Sequence, residues 1–207
     1  FGFDLDWFDE SFDENLLDLD PRASAGIGPL AYYGSTIGDA LGYDEITGYD
    51  PDKIRIFREL TRARLQTPSE PDPILVFVKQ EPHKTKKILE GKWRIISAVG
   101  LIDTMVDRIM LGWLAKATLN SVGKTPIMIG WSPYKGGFRY IARRFGNSRV
   151  LCADKSSWDW SVQGWLLHLV KDLIHGLAIK APDFWRDWLE ARWRALFRDA
   201  EFGFRSG

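Results

Sequence analysis

The stretch Val150-Leu-Cys-Ala-Asp-Lys-Ser-Ser-Trp-Asp-Trp-Ser161 decides how this chain is read. Its first four residues, Val150 to Ala153, are mostly apolar and predict a short buried strand. The strand leads into Asp154, a second carboxylate, Asp159, follows five residues on, and Val162 opens a helical pattern running to Ala178. A carboxylate fixed where a buried strand ends faces the end of its sheet, a position suited to holding a divalent metal through hard oxygen ligands. On spacing alone the plainer alternative is at least as good: Asp154 ends the strand and Asp159 caps the helix.

Composition bounds the classes. With 207 residues, 45% hydrophobic and 27% charged, the chain can build one substantial core or two small ones. The single cysteine, Cys152, excludes an internal disulfide framework, and a reducing compartment is the simplest inference. No apolar run reaches the roughly 18 residues of a membrane span, and no signal-peptide pattern is visible. The chain opens on Phe1 and closes on Gly207, and it reads as an internal piece of something longer. A net charge of zero hides an asymmetry: residues 1–52 hold 13 acids and one base, Arg22, whereas residues 53–207 hold 15 acids and 27 bases. That basic excess points to a polyanionic partner such as nucleic acid.

Phe1 to Asp20 alternates acids with large apolar residues, without the glycine or oxygen spacing of a calcium loop, and reads as a surface segment with aromatic anchors. Pro21 to Leu30 is a turn-rich loop whose small residues would let a ligand or another chain come close. Asp50-Pro51 caps a basic helix, Lys53 to Leu65, with Ile54, Phe57, Leu60 and Leu65 as its apolar stripe. Two strands, Ile74 to Val78 and Ile95 to Val99, flank an excursion carrying Lys79, Lys84, Lys86, Lys87, Lys92 and Arg94 against Glu81 and Glu90. Cations on a loop pinned between strands can form a fixed phosphate-binding surface, with Arg94 offering a planar fork and the lysines point charges.

A helix over Leu101 to Leu119 is expected to bury Ile102, Met105, Val106, Ile109, Trp113 and Ala117. A turn over Gly130 to Gly137 precedes a short basic helix with Arg139, Arg143 and Arg144. The helix after Val162 should pack through Trp165, Leu166, Leu169, Val170, Leu173, Ile174 and Leu177, with His168 and His175 at its surface. A last helix, about Asp183 to Asp199, should bury Trp185, Trp188, Leu189, Trp193 and Leu196.

Three segments in this order resemble the viral RNA-dependent RNA polymerases, those of the sobemovirus and polerovirus type most of all. Ala23-Ser-Ala-Gly-Ile-Gly-Pro-Leu30 is similar to fingers motif G, with one residue inserted before the proline. Phe77-Val-Lys-Gln-Glu-Pro-His-Lys84 through Lys92-Trp-Arg-Ile-Ile-Ser97 is similar to motif F, the roof of the nucleotide channel, and Asp154 to Ser161 to motif A of the palm. Ser206-Gly207 resembles the opening of motif B. The resemblance implies an α+β fold, the fingers and partial palm of a right-hand polymerase, helix-rich with a small incomplete antiparallel sheet. Residues 1–149 would be fingers and 150–207 the first part of the palm.

The resemblance also implies roles. RNA-templated nucleotidyl transfer would use two divalent ions, Mg2+ or Mn2+. Asp154 would bridge them, helped by the main-chain carbonyl of Lys155. Asp159 would accept a hydrogen bond from the incoming ribose 2′-hydroxyl, which argues for RNA synthesis. Lys79, Lys92 and Arg94 would hold the triphosphate, with Glu81 orienting Arg94 by an ion pair. Ser24, Gly26 and Pro29 would steer template RNA, and Lys84, Lys86, Lys87, Ser206 and Gly207 would contact RNA. Template and nascent RNA, nucleoside triphosphates and other viral replication proteins are the implied partners. The implied compartment is the host cytoplasm, at membrane-associated replication complexes.

The chain lacks the Gly-Asp-Asp of motif C and the asparagine of motif B, so the resemblance implies that it does not polymerise alone and is marginally stable or aggregates. Two other readings compete: a non-catalytic RNA-binding module using the basic loop and helices, and a metal-dependent nuclease or phosphatase. The motif A reading further requires Asp154 to lie beneath the cationic lid that carries Arg94.

Overall fold

A computed structural model describes residues 4–82, 84–134 and 136–204. Its helices are α1 (Leu5–Leu16), α2 (Ile37–Leu41), α3 (Pro51–Gln66), α4 (Thr85–Leu89), α5 (Leu101–Asn120), α6 (Gly137–Phe145), α7 (Trp158–Ser161), α8 (Gly164–Leu177) and α9 (Asp183–Phe197). Its strands are β1 (Ile74–Val78), β2 (Ile95–Ala98) and β3 (Phe202–Phe204). The chain divides into two compact units, one of residues 1–110 with 181–207 and one of residues 111–180.

The first unit holds the larger core. Asp4 accepts the Asp6 amide at 2.9 Å and starts α1, so the acidic surface segment is helical. Phe8 and Phe12, one turn apart, are fully buried, as an aromatic-anchored segment should place them. Asp50 accepts the Asp52 and Lys53 amides, Pro51 occupies the first turn, and α3 begins there as expected. Phe57, Thr61 and Leu65 form its buried stripe, and Phe57 meets Phe12 edge-on at 5.2 Å. Above that contact the acids of α1 neutralise the cations of α3. Arg58 pairs with Asp9 at 3.0 Å and with Asp13, while Arg62 pairs with Asp9 at 3.1 Å.

The β-branched run of β1 is central in a sheet ordered β2-β1-β3. β2 runs antiparallel to it, Val78 opposite Ile95, whereas β3 runs parallel, Ile74 opposite Phe202. The sheet is therefore mixed, where an antiparallel one was expected. Its third strand comes from the chain's far end and not from the motif A stretch.

The first half of α5 buries Ile102, Met105, Val106, Ile109 and Met110. α9 buries Trp185, Trp188 and Leu189, and the Trp185 indole donates to the Met110 carbonyl at 2.8 Å. Trp193 is only half-buried and packs on Phe197 with ring centroids 4.6 Å apart. A buried ion network joins α5 and α9: Arg192 forks onto Asp107 at 2.8 and 2.7 Å, and its other nitrogen lies 3.7 Å from Asp103.

The second unit departs further from expectation. Trp113 and Ala117, expected inside, are exposed. Val150 to Ala153 form no strand and are exposed, Cys152 included. A strand exists only through a neighbour that completes its hydrogen bonds, and none pairs with this segment among the described residues. The helix expected from Val162 is two helices. Val162 has an extended backbone (φ −61°, ψ 128°) and Gln163 follows suit, so α7 stops at Ser161 and α8 starts at Gly164. The expected apolar face of α8 is largely exposed, Trp165 by 66% and Leu169 and Leu173 by 56% each. Among the described residues no helix is long and apolar enough to cross a membrane.

Candidate active site

The motif F excursion is built on the β1–β2 hairpin. Val78 opposes Ile95, and beyond it the Lys79 amide donates to the Arg94 carbonyl at 2.8 Å. That bond places Lys79 and Arg94 across from each other at the hairpin's charged end. Glu81 sits between them, with Lys79 Nζ at 2.8 Å from Oε2 and Arg94 Nη1 at 2.8 Å from Oε1. The ion pair expected from Glu81 to Arg94 is present, and Glu81 holds Lys79 as well. The Lys79 ammonium first, and the Arg94 guanidinium with it, hold the Glu81 carboxyl below the usual glutamate range.

Glu90 plays the same part for α4, bridging Lys92 at 2.9 Å and Lys86 at 3.8 Å. The two acids therefore organise four of the six cations of the excursion. Lys84 and Lys87 are exposed, and no ion pair engages them among the described residues. Arg94 remains 62% exposed at its side chain despite its pairing, so its guanidinium can still reach a solute.

The motif G loop packs on the base of this hairpin. Ala25 N donates to Ser35 O at 3.0 Å, Ile37 N to Ala23 O at 2.9 Å, and Leu101 N to Ala25 O at 3.0 Å. Gly26 is buried with φ +71°, and a Cβ there would lie 2.7 Å from Gly100 Cα and 2.8 Å from the Val99 carbonyl. The close approach that its size allows is thus to the chain itself. The Gly26 amide donates to Ser24 Oγ at 3.1 Å, and Pro29, itself exposed, opens a 3₁₀ turn that buries Leu30. Two clefts, of about 370 and 510 Å³, share Ser24 and Phe77 in their walls, so motifs G and F line the same groove.

In the second unit Asp154 is exposed, and its Oδ1 accepts the Lys155 amide at 2.9 Å. Lys155 turns its ammonium onto the Trp158 ring, 4.3 Å from the centroid, so the neighbouring carboxylate keeps no ion pair among the described residues. Ser157 adopts a left-handed backbone (φ 53°) and starts α7, which puts Asp159 in that helix's first turn. Asp154 thus ends no strand, and Asp159 is not the capping residue. Asp154 with the Lys155 carbonyl is a hard-oxygen donor set that suits a divalent cation. No three His, Cys, Asp or Glu side chains gather around an ion site among the described residues. Ser206 and Gly207 lie outside the described residues.

Sequence reasoning missed the ion network behind the hairpin. Arg64 Nη1 reaches Asp103 Oδ2 at 2.7 Å, Arg64 Nη2 reaches Asp72 at 3.2 Å, and the Asp72 amide donates to Asp103 at 2.9 Å. Asp72 lies two residues before β1, so the network fixes where the motif F hairpin starts. Asp103 and Asp107, one turn apart and the two acids of α5, were the available signal.

A helix-rich chain with a small open sheet, a cation-lined hairpin and a glycine loop packed on its base has the architecture of a viral polymerase fragment. The fold matches the Sicinivirus 3Dpol RNA-dependent RNA polymerase with a TM-score of 0.65 at 19% identity, over 86% of this chain and 36% of that one. Residues 53–199 match the family model for viral RNA-dependent RNA polymerase, and the chain belongs to that family. It is 30% identical to protein P2-P3 of Poinsettia latent virus over 89% of its own length, and 37% identical to the RNA-directed RNA polymerase of Mushroom bacilliform virus over 67%. The chain spans 19% and 33% of those two proteins, respectively.

Proposed function

We propose that this chain is the amino-terminal, fingers and first palm, portion of an RNA-directed RNA polymerase that copies viral RNA. The observation that carries the reading is the hairpin end where Lys79 and Arg94 face each other with Glu81 bridging both. A triphosphate needs its charge neutralised as the leaving group departs, and preorganised cations do so without reorganising at the moment of reaction. Lys79 and Arg94 therefore bind the triphosphate, Lys92 joins them, and Glu81 keeps the guanidinium fork aimed.

Asp154 and the Lys155 carbonyl are the donors this chain offers to divalent cations, Mg2+ or Mn2+, two per site. When bound, such ions supply a lowered pKa at the primer 3′-hydroxyl and charge stabilisation at the leaving pyrophosphate. Asp159 accepts the ribose 2′-hydroxyl and selects ribonucleotides. Ser24 and Pro29 guide the template along the groove, Gly26 holds the loop that presents them, and Lys84, Lys86 and Lys87 meet RNA phosphates. Template, nascent strand, nucleoside triphosphates and other replication proteins are the partners, and the work is done in the host cytoplasm at membrane-associated complexes.

The test uses the full-length protein on a primed RNA template. Asp154→Ala should abolish incorporation while RNA affinity stays unchanged, and Arg94→Ala should raise the nucleotide concentration needed for half-maximal rate. Incorporation by Asp154→Ala at the wild-type rate would refute the proposal and leave an RNA-binding module.

A further inference from the structure

Residues 108–153 hold eight cations and not one acid. Part of this run is a defined structure outside motifs G, F and A: the turn entering α6, and α6 itself. The Phe138 amide donates to the Pro133 carbonyl at 3.0 Å and the Gly137 amide to the Tyr134 carbonyl at 3.1 Å. The turn depends on its glycines. Gly136 has φ +92°, and a Cβ on Gly137 would sit 1.7 Å from the Ser132 carbonyl oxygen. On its far side α6 is tied down by the Tyr140 hydroxyl, which donates to the Gly123 carbonyl at 3.1 Å.

Much of the rest is bare. Tyr134 is 80% and Phe138 69% exposed, an unusual outlay of aromatic surface on a turn that is firmly held. Arg139 and Arg143, one helical turn apart on α6, are exposed and make no ion pair among the described residues. Exposed rings and unpaired guanidinium groups on one turn and helix, with no acid in the surrounding sequence, match the chemistry of unpaired bases and their phosphates.

We propose that the turn and α6 form a platform for single-stranded RNA, Tyr134 and Phe138 stacking on bases while Arg139 and Arg143 hold adjacent phosphates. The inference rests on the polymerase reading for the identity of the nucleic acid. It adds a binding surface distinct from the motifs that give that reading. A duplex hides its base faces, so the rings distinguish single strands from duplex and the arginines do not.

The experiment measures binding of the full-length protein to a labelled single-stranded oligo-U and to a duplex of equal length, by fluorescence anisotropy over a salt series. Tyr134→Ala/Phe138→Ala should weaken single-strand binding about tenfold or more with an unchanged salt slope, and should spare the duplex. Arg139→Gln/Arg143→Gln should weaken binding of both and flatten the single-strand slope by about 1.4, the share of two phosphate contacts. Arg139→Lys/Arg143→Lys should keep the slope. Wild-type affinity and slope in both neutralising variants would overturn the platform, as would equal losses on duplex and single strand for the ring variant. An acidic protein ligand that binds this face while RNA does not would also overturn it. If the wild-type protein incorporates no nucleotide yet the platform variants lose RNA, the polymerase reading falls and the platform stands. If Asp154→Ala behaves as expected and the platform variants bind normally, the platform alone falls.

Discussion

Replacing Arg192 with alanine tests whether the buried ion network holds the first unit together. The Arg192 side chain is 4% exposed, forks onto Asp107 and lies 3.7 Å from Asp103, itself 3% exposed. Without Arg192, Asp103 keeps Arg64 and the Asp72 amide, but Asp107 loses both of its charge-assisted hydrogen bonds. The Asp107 side chain is 27% exposed, so losing its partner strands a partly hydrated carboxylate and costs about 1–3 kcal/mol. Whole domains are stable by only about 5–15 kcal/mol, so this is a large fraction. For a chain of this size it corresponds to a fall of roughly 2–12 °C in melting temperature. Arg192→Met/Asp107→Asn, which removes the pair together, should cost less than the sum of its single variants, by about 1–3 kcal/mol. Native-state hydrogen exchange of α5 and α9 amides gives the assay, and β1 amides should lose protection too, because Asp72 ties the network to the strand's start. If Arg192→Ala leaves exchange in α5 and α9 within about 1 kcal/mol of wild type, the network is ornamental and the reasoning fails.

Gly26→Ala forces a side chain into a left-handed backbone and against Gly100, and should destabilise by about 2 kcal/mol or more in a thermal melt. Gly91→Ala, at φ +63° but with open space around it, should cost about 1 kcal/mol, which separates strain from collision. Asp50→Ala removes the oxygen that accepts two amides of α3 and should cost about 1 kcal/mol. Glu81 should titrate below ordinary glutamate in carbon-detected NMR and move back up in Lys79→Ala, its largest cause. Because its folded value is depressed, its contribution is in place above the unfolded glutamate range and vanishes as the pH falls through the folded value.

Local chemistry made most of the first unit readable. The Asp50-Pro51 start of α3, the ILVFV strand and the length of α5 each follow from signals within the segment, and the structure keeps them. The acid-rich opening was not read as a helix, because its stability comes from long-range partners. Phe12 rests on Phe57, and Asp9 and Asp13 face arginines some 45 to 53 residues away. β3 escaped notice for the same reason, since a three-residue strand of Phe-Gly-Phe has no signature until β1 lies beside it.

The candidate site divides along the same physical line. The motif F hairpin carries its own partners, so Glu81, Lys79 and Arg94 meet where the two strands pair; the Glu81–Arg94 pair was legible through the resemblance to motif F, and the Lys79–Glu81 pair was not. Val150 to Ala153 was read as a buried strand from apolarity alone, which records a demand for burial and cannot supply the neighbour that meets it. Leu151 is 91% exposed, and Leu169 and Leu173 of α8 are exposed as well. Residues this apolar favour burial by about 1.5–3 kcal/mol each, so a partner element that covers them would gain that much per side chain. Titrating the chain with such an element should quench exchange at residues 150–153 first. No protection there on binding would show that the motif A segment is not strand-forming and that its apolar run serves another end.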